Sequence, residues 1–188
     1  RADRGGSLNT RELLTIAGLL TCARRAKEYR DTDALGETSI DHLFHSIHGN
    51  RFLEDKIKNA ILDEDTISDN ASPELADTRR HMRQAQAKSR QILQKIISSP
   101  AYAKSLREPI ITIRDGRYVV PVKSECKNDV PGLVHDVSAT GSTYFVEPMS
   151  AVNANNALRE LELKEKKEIE RILAELSAEA AAHREDIN

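Results

Sequence analysis

The sequence predicts a mainly α-helical fold in which two long antiparallel helices carry a small antiparallel β-meander between them. Only 4% of its 188 residues are aromatic and 31% are charged, which favours elongated helices with narrow apolar seams. The stretch 109–148 departs from this pattern, because it is rich in Val, Tyr, Gly, Pro and Ser and alternates with the period of β-strands. We therefore expect a helical part over 1–108, a β-rich insertion over 109–148 and a returning long helix over 149–188.

The overall charge of the chain does not indicate any class of binding partner. Lys and Arg number 28 and Asp and Glu 30, for a formal net charge of −2, so any patch that binds nucleic acid must be local. Cys22 and Cys126 fit neither a metal spacing nor a disulfide framework, which favours a cytoplasmic protein. No apolar run approaches the roughly 20 residues of a membrane-spanning helix, so no membrane partner is expected. We interpret the chain, which begins at Arg1 and ends in a helical pattern, as a segment of a larger protein.

Local signals define the first helices. Asn9 followed by Glu12 is a capping box and predicts a helix that runs to about residue 28. A short helix capped by Ser39 should follow. The next helix, at about 50–60, should bury four apolar side chains: Phe52, Leu53, Ile57 and Ala60.

The second long helix should begin after the cap residue Ser72 and end near residue 98, because Pro100 disfavours helix before it. The stretch 78–107 contains neither Asp nor Glu. Its cations could face phosphates or could pair with the acidic C-terminal helix, and the sequence leaves both readings open. These cations are Arg79, Arg80, Arg83, Lys88, Arg90, Lys95, Lys104 and Arg107.

The β-rich insertion opens with Asp115-Gly116 between alternating apolar residues, which is a strong signal for a tight hairpin. Pro121 in the second strand indicates an edge strand or an early end to pairing, since proline cannot donate to a ladder. Further strands are expected at Leu133–Val137 and Thr143–Val146. Four strands joined in chain order would form a meander.

No motif indicates catalysis. The sequence lacks a Gly-rich phosphate loop and a nucleophile elbow. His42, His45 and His48 have a spacing that zinc uses, but no nearby fourth ligand accompanies them, so a solvated helix face is favoured. We expect no enzyme activity, no metal and no cofactor in this segment.

Three stretches carry a family resemblance: "RDGRYVVPVK", "PGLVHDVSATGSTYFVEP" and "NNALRELELKEKKEIERIL". They resemble the second type of bacterial MutS-like proteins, the MutS-two family, and the likeness extends over essentially the whole chain. The resemblance implies a homodimeric parent with an ATPase domain that uses ATP and Mg²⁺ and an endonuclease domain. Such proteins bind branched DNA and restrain homologous recombination, and in some bacteria they act on collided ribosomes. The present segment would be the core, the lever helices and the clamp.

The clamp resemblance suggests which residues contact nucleic acid. We expect Lys123 and Lys127, in loops of the insertion, to contact phosphates, with Arg117 and Thr140 as weaker candidates. Two alternatives remain open. The segment could be a structural arm for dimerisation and coupling, or its partner could be ribosomal RNA rather than DNA.

Overall fold

A computed structural model of the chain describes residues 2, 5–30, 39 and 41–184. They belong to two compact units. The first, here called the helical unit, lies within residues 1–77 and 166–188; the second, the sheet unit, comprises residues 78–165. No helix in the described part is long and apolar enough to cross a membrane.

The described residues contain five α-helices and four β-strands, so the expectation of a mainly helical fold with a small antiparallel sheet is confirmed. The helices are α1 (Thr10–Arg30), α2 (Asp41–His45), α3 (Arg51–Ala60), α4 (Pro73–Ile97) and α5 (Met149–Ala182). The strands are β1 (Thr112–Arg114), β2 (Arg117–Lys123), β3 (Gly132–Val137) and β4 (Thr143–Pro148). Two 3₁₀ turns occupy Asp69–Ala71 and Ser124–Cys126.

The caps predicted for α1 and α4 are present. Asn9 Oδ1 accepts from the Glu12 N–H at 2.8 Å, and Glu12 Oε2 accepts from the Asn9 N–H at 2.9 Å. Ser72 Oγ accepts from the Leu75 N–H at 3.0 Å. These bonds satisfy backbone donors that a helix N-terminus leaves unpaired, which fixes where each helix begins.

The helical unit has an apolar core to which α1, α3 and both long helices contribute. Its buried members include Leu13, Leu20, Leu53, Ile57, Leu75, Ile172 and Leu176. The prediction that Phe52 is buried is wrong, since this residue is 69% exposed. Leu53, Ile57 and Ala60 form the inward face of α3 at helical spacing, and Phe52 is rotated about 100° away from Leu53.

A buried carboxylate joins α1 to α3. Glu54 is only 2% exposed. It accepts from Arg24 Nε at 3.0 Å, from Lys58 Nζ at 2.7 Å and from the Thr21 hydroxyl at 2.8 Å. Hydrogen bonding to Arg24 above all, and also to Lys58 and Thr21, lowers the pKa of Glu54 to about 2.

The predicted hairpin at Asp115-Gly116 is confirmed. Both residues have positive φ, 50° and 71°, as a type I′ turn requires. The turn aligns Arg114 with Arg117 and so sets the register of β1 on β2.

The expectation of a meander is wrong, because the strands lie in the order β1-β2-β4-β3. The loop 124–131 is long enough to carry the chain past the position beside β2, and the tight connection 138–142 then returns β4 into that position. Burial agrees with this order. Buried residues such as Val146 and Glu147 lie on the inner strand β4, whereas every residue of β3 is at least partly exposed.

The interpretation of Pro121 as a sign of an edge strand is also wrong, since β2 lies between β1 and β4. Pro121 pairs with Phe145, and its carbonyl points away from β4, where it accepts from the Arg107 N–H at 2.9 Å. The nitrogen of a strand residue faces the same side as its carbonyl. The missing N–H therefore removes no hydrogen bond between β2 and β4.

In the sheet unit, α4 and α5 pack against one face of the sheet. The core there includes Leu93, Val120, Val122, Val146, Ala151 and Leu158. The two helices are antiparallel, since Arg79 bonds Glu165 at 2.6 Å while Ser89, further along α4, bonds Asn155, earlier in α5, at 2.6 Å. The Arg79 contact supports the reading in which cations of α4 pair with the acidic returning helix.

The sheet unit also has a buried carboxylate. Glu147, at the end of β4, is 0% exposed. It accepts from Arg117 Nη1 at 3.0 Å, from His135 Nε2 at 2.5 Å and from Asn155 Nδ2 at 2.7 Å. The ring of His135 reaches it from a bulge in β3 between Val134 and Asp136.

We expect Glu147→Ala to destabilise the sheet unit by about 3–5 kcal/mol, because it removes the buried carboxylate that Arg117, His135 and Asn155 share as an acceptor. Urea unfolding followed by circular dichroism measures this loss. Glu162→Ala is the matched control, because its pair with Arg159 is exposed and should cost less than about 1 kcal/mol. Equal losses in the two variants would contradict a special role for Glu147.

The low pKa of Glu54 predicts how stability depends on pH. Because the folded value, about 2, lies below the unfolded value of 4.5, the contribution is fully present above about pH 5 and is lost as pH falls toward 2. The loss amounts to about 3 kcal/mol. Glu54→Gln should flatten this part of the stability curve, whereas Glu64→Gln, at an exposed pair with Arg11, should leave it unchanged. Chemical unfolding at pH 7 and pH 3 checks this, and parallel curves for the parent chain and Glu54→Gln would contradict it.

Candidate nucleic-acid interface

The two ends of the sheet differ in chemistry. At one end β2 finishes at Lys123 beside Thr143, and Val137 of β3 lies beside Tyr144. The loops 124–131 and 138–142 leave from this end, which we call the loop end. The other end carries the tight turn at Asp115-Gly116. Of the four predicted contact residues, Lys123, Lys127 and Thr140 lie at the loop end.

Lys123 is held by backbone groups. Its Nζ donates to the carbonyl of Lys104 at 2.8 Å, and its N–H donates to the carbonyl of Ser105 at 2.9 Å. No carboxylate forms an ion pair with Lys123 among the described residues. A neutral carbonyl positions the ammonium group without neutralising its charge, so the group remains able to attract an anion.

Lys127 is positioned by an aromatic ring. Its Nζ lies 5.0 Å from the centroid of the Tyr144 ring, within the range of a cation–π contact. Lys127 likewise forms no ion pair within the described part of the chain. The ring fixes the direction of the ammonium group and leaves its hydrogen-bond donors available.

Thr140 lies in the loop 138–142, which carries three hydroxyl side chains. Its Oγ1 lies 2.8 Å from Ser142 Oγ and 3.4 Å from Ser138 Oγ. Ser138 Oγ accepts from the Thr143 N–H at 3.1 Å, and Gly141, with φ 69°, allows the turn. A backbone bond from the Ser124 N–H to the Ser142 carbonyl, at 3.1 Å, ties this loop to the one that holds Lys127.

Arg117 is placed differently from the other three candidates. It begins β2, at the turn end and roughly 20 Å from Lys123 at 3.3 Å per residue. Its side chain is 23% exposed and binds Glu147 at 3.0 Å and Asn156 at 2.7 Å. The structure thus gives Arg117 a scaffold contact, and a role in nucleic-acid binding stays a prediction.

Two cations of the stretch 78–107, which the sequence left between phosphate contact and pairing with the acidic helix, also lie at the loop end. The carbonyl of Lys104 accepts a hydrogen bond from Lys123 Nζ, and the Arg107 N–H donates to the carbonyl of Pro121. Both side chains are exposed. The sequence places them within the acid-free stretch 78–107, but only strand pairing brings that stretch next to β2.

Two acidic groups accompany these cations. Asp129, in the loop 124–131, accepts from the Ser105 hydroxyl at 2.8 Å. Glu125, in the 3₁₀ turn, is exposed, and its pKa is lowered, mainly by its own backbone N–H, then by the Ser124 hydroxyl and the nearby charges of Lys123 and Arg107. The carboxylate therefore stays ionised and offsets part of the positive charge. Four cations against these two carboxylates leave the cluster positive.

No group of His, Cys, Asp or Glu that could hold a metal ion occurs in the part of the chain that the structure describes. Cys22 is exposed and Cys126 half-buried, and both are free thiols. The arrangement at the loop end can attract an anion and donate hydrogen bonds to it.

No family model matches the chain. The curated proteins, in contrast, include many close relatives. Endonuclease MutS2 of Ruminiclostridium cellulolyticum is 50% identical over 184 residues, which cover 96% of this chain and 23% of the relative. Endonuclease MutS2 of Acetivibrio thermocellus is 46% identical over 182 residues, or 95% of this chain and 23% of the relative.

A third relative, Endonuclease MutS2 of Pelotomaculum thermopropionicum, is 48% identical over 183 residues, which cover 97% of this chain and again 23% of the relative. The chain therefore spans about a quarter of the length of these relatives. Identity of this level along almost the whole chain confirms the resemblance seen in the sequence: the chain belongs to the MutS2 family.

Proposed function

We propose that this chain is a non-catalytic lever-and-clamp segment of a MutS2-family protein and that its loop end contacts nucleic-acid phosphates. The observation that supports the proposal is that Lys123, Lys127 and the hydroxyl of Thr140 lie at the same end of the sheet, with the backbone of Lys104 beside Lys123. Ammonium and hydroxyl groups suit phosphate oxygens and read no base sequence.

The resemblance to the family supports a division into a core and lever over 1–108, a clamp over 109–148 and a returning lever over 149–188. It also supports a homodimeric parent protein that acts on branched DNA. ATP, Mg²⁺ and the nuclease reaction would belong to other parts of the whole protein. The long antiparallel helices α4 and α5 support the lever assignment.

We expect the double variant Lys123→Glu with Lys127→Glu to weaken binding to a synthetic four-way DNA junction by roughly tenfold or more, because two attractive charges become repulsive. Fluorescence anisotropy at about 50 mM salt measures the affinity of the 188-residue chain. Binding by the parent chain should fall steeply as salt rises, as counterion release requires.

The matched control is Lys166→Glu with Lys167→Glu, which makes the same charge change at exposed positions of the helical unit. It should leave junction binding within about twofold of the parent chain. Equal losses in the two double variants would show general electrostatics rather than a site. A hairpin of ribosomal RNA, tested beside the junction, decides between DNA and RNA as the preferred partner.

A structural arm for dimerisation is the second candidate, and one observation favours it. The edge strand β3 exposes Leu133, Val134 and Val137, each 39–47% accessible, and an apolar edge can pair with another chain. If this role is correct, the chain should sediment as a dimer at low concentration and fail to bind the junction at low salt. Val137→Lys should then shift the equilibrium to monomers.

A further inference from the structure

An open groove of about 710 Å³ runs along the sheet unit between α4 and the strand β1, away from the loop end. One wall is the later half of α4, and the other is the segment that leads into β1. The lining combines aliphatic side chains with polar groups of α4 and the segment before β1. Lining residues include Arg90, Gln94, Ile97, Ile111, Ile113 and Tyr118.

The strand at this groove has an open edge. β1 is the first strand in the order β1-β2-β4-β3, and it pairs only with β2. In a hairpin with a two-residue turn, the pairs Arg114–Arg117 and Thr112–Val119 exchange backbone bonds, whereas the pair Ile113–Tyr118 does not. The N–H and carbonyl of Ile113 therefore point outward from the sheet. The carbonyl accepts from the Arg114 side chain at 2.8 Å, and the N–H is available to a new strand.

The side chains beside this edge favour an aliphatic ligand. Ile113 lies directly opposite Tyr118, a member of the core, so the two share the face of the sheet that α4 covers. Ile113 is nevertheless 52% exposed, because α4 does not reach over the edge. An added strand would place every second side chain on this face, against Ile97 and Ile111.

The rim of the groove is cationic. The guanidinium of Arg90 lies 5.7 Å from the centre of the Tyr118 ring and forms no ion pair among the described residues. The stretch 78–107, to which it belongs, contains no acidic residue. A planar guanidinium that rests on a ring can bind a carboxylate through two parallel hydrogen bonds.

We propose that this groove binds an extended peptide that adds a strand to β1, with aliphatic side chains in the groove and a carboxylate on Arg90. The open edge supplies the Ile113 N–H as a backbone donor, the isoleucine side chains of the groove favour the alternating aliphatic side chains, and Arg90 favours the acidic one. This site goes beyond the proposed contact with nucleic acid, because it takes a protein partner and lies outside the loop end.

The probe is an acetylated peptide, Asp-Thr-Val-Thr-Ile-Thr, in which Asp, Val and Ile share one face of an extended strand, with a twin in which Asn replaces Asp. Methyl NMR spectra of the 188-residue chain, with labelled isoleucine methyl groups, show where the peptide binds. We expect peptide-dependent shifts at Ile97, Ile111 and Ile113 and none at Ile172, which lies in the helical unit. Arg90→Glu and the Asn twin should each weaken binding roughly tenfold, since each removes the ion pair.

Lys95→Glu is the matched control, because it makes the same charge change on α4 at an exposed residue outside the groove lining. Its affinity for the peptide should stay within about twofold of that of the parent chain. Ile113→Pro should abolish binding without unfolding the sheet, since proline is tolerated where an edge N–H faces solvent. Three results overturn the proposal. These are no methyl shifts at about 1 mM peptide, equal binding by Arg90→Glu, and the same methyl shifts produced by self-association or by single-stranded DNA instead of the peptide.

Discussion

The carboxylate of Glu147 is withdrawn from water, and an ionised group in that position costs several kcal/mol unless its oxygens are satisfied. Arg117 from the start of β2, His135 from the bulge of β3 and Asn155 from α5 supply the donors. Asn155 continues the network to Ser89 on α4. Since each donor comes from a different element, the sheet and both helices must hold fixed positions for the buried charge to be tolerated.

This network also separates scaffold from binding surface. Arg117 binds the buried carboxylate, and its positive charge is compensated there. Lys123 and Lys127, at the other end of the sheet, are positioned by a carbonyl and an aromatic ring, which fix an ammonium group without neutralising it. Arg90 rests on Tyr118 in the same manner. Cations held by neutral groups keep the charge that an anionic partner requires.

The sequence predicted part of the candidate site. The sequence predicts Lys123, Lys127 and Thr140 in solvated loops of a β-rich insertion. The structure places all three at one end of the sheet, but Lys123 is the last residue of β2 and not a loop residue. Lys104 and Arg107 were missed as members of that group, because their positions depend on the pairing of the chain before β1 with β2. The groove beside β1 had no sequence signal, since its two walls come from separate elements.

The sequence by itself determined the elements whose information is local. Asn9 and Ser72 cap their helices through bonds that span three residues, and Asp115-Gly116 turns the chain because its backbone conformation suits these residues. Only the tertiary structure decided the strand order, the central place of β2 despite Pro121, and the exposure of Phe52. These features depend on which distant segments share hydrogen bonds and bury each other's surface, and the spacing of residues along the chain does not encode that choice.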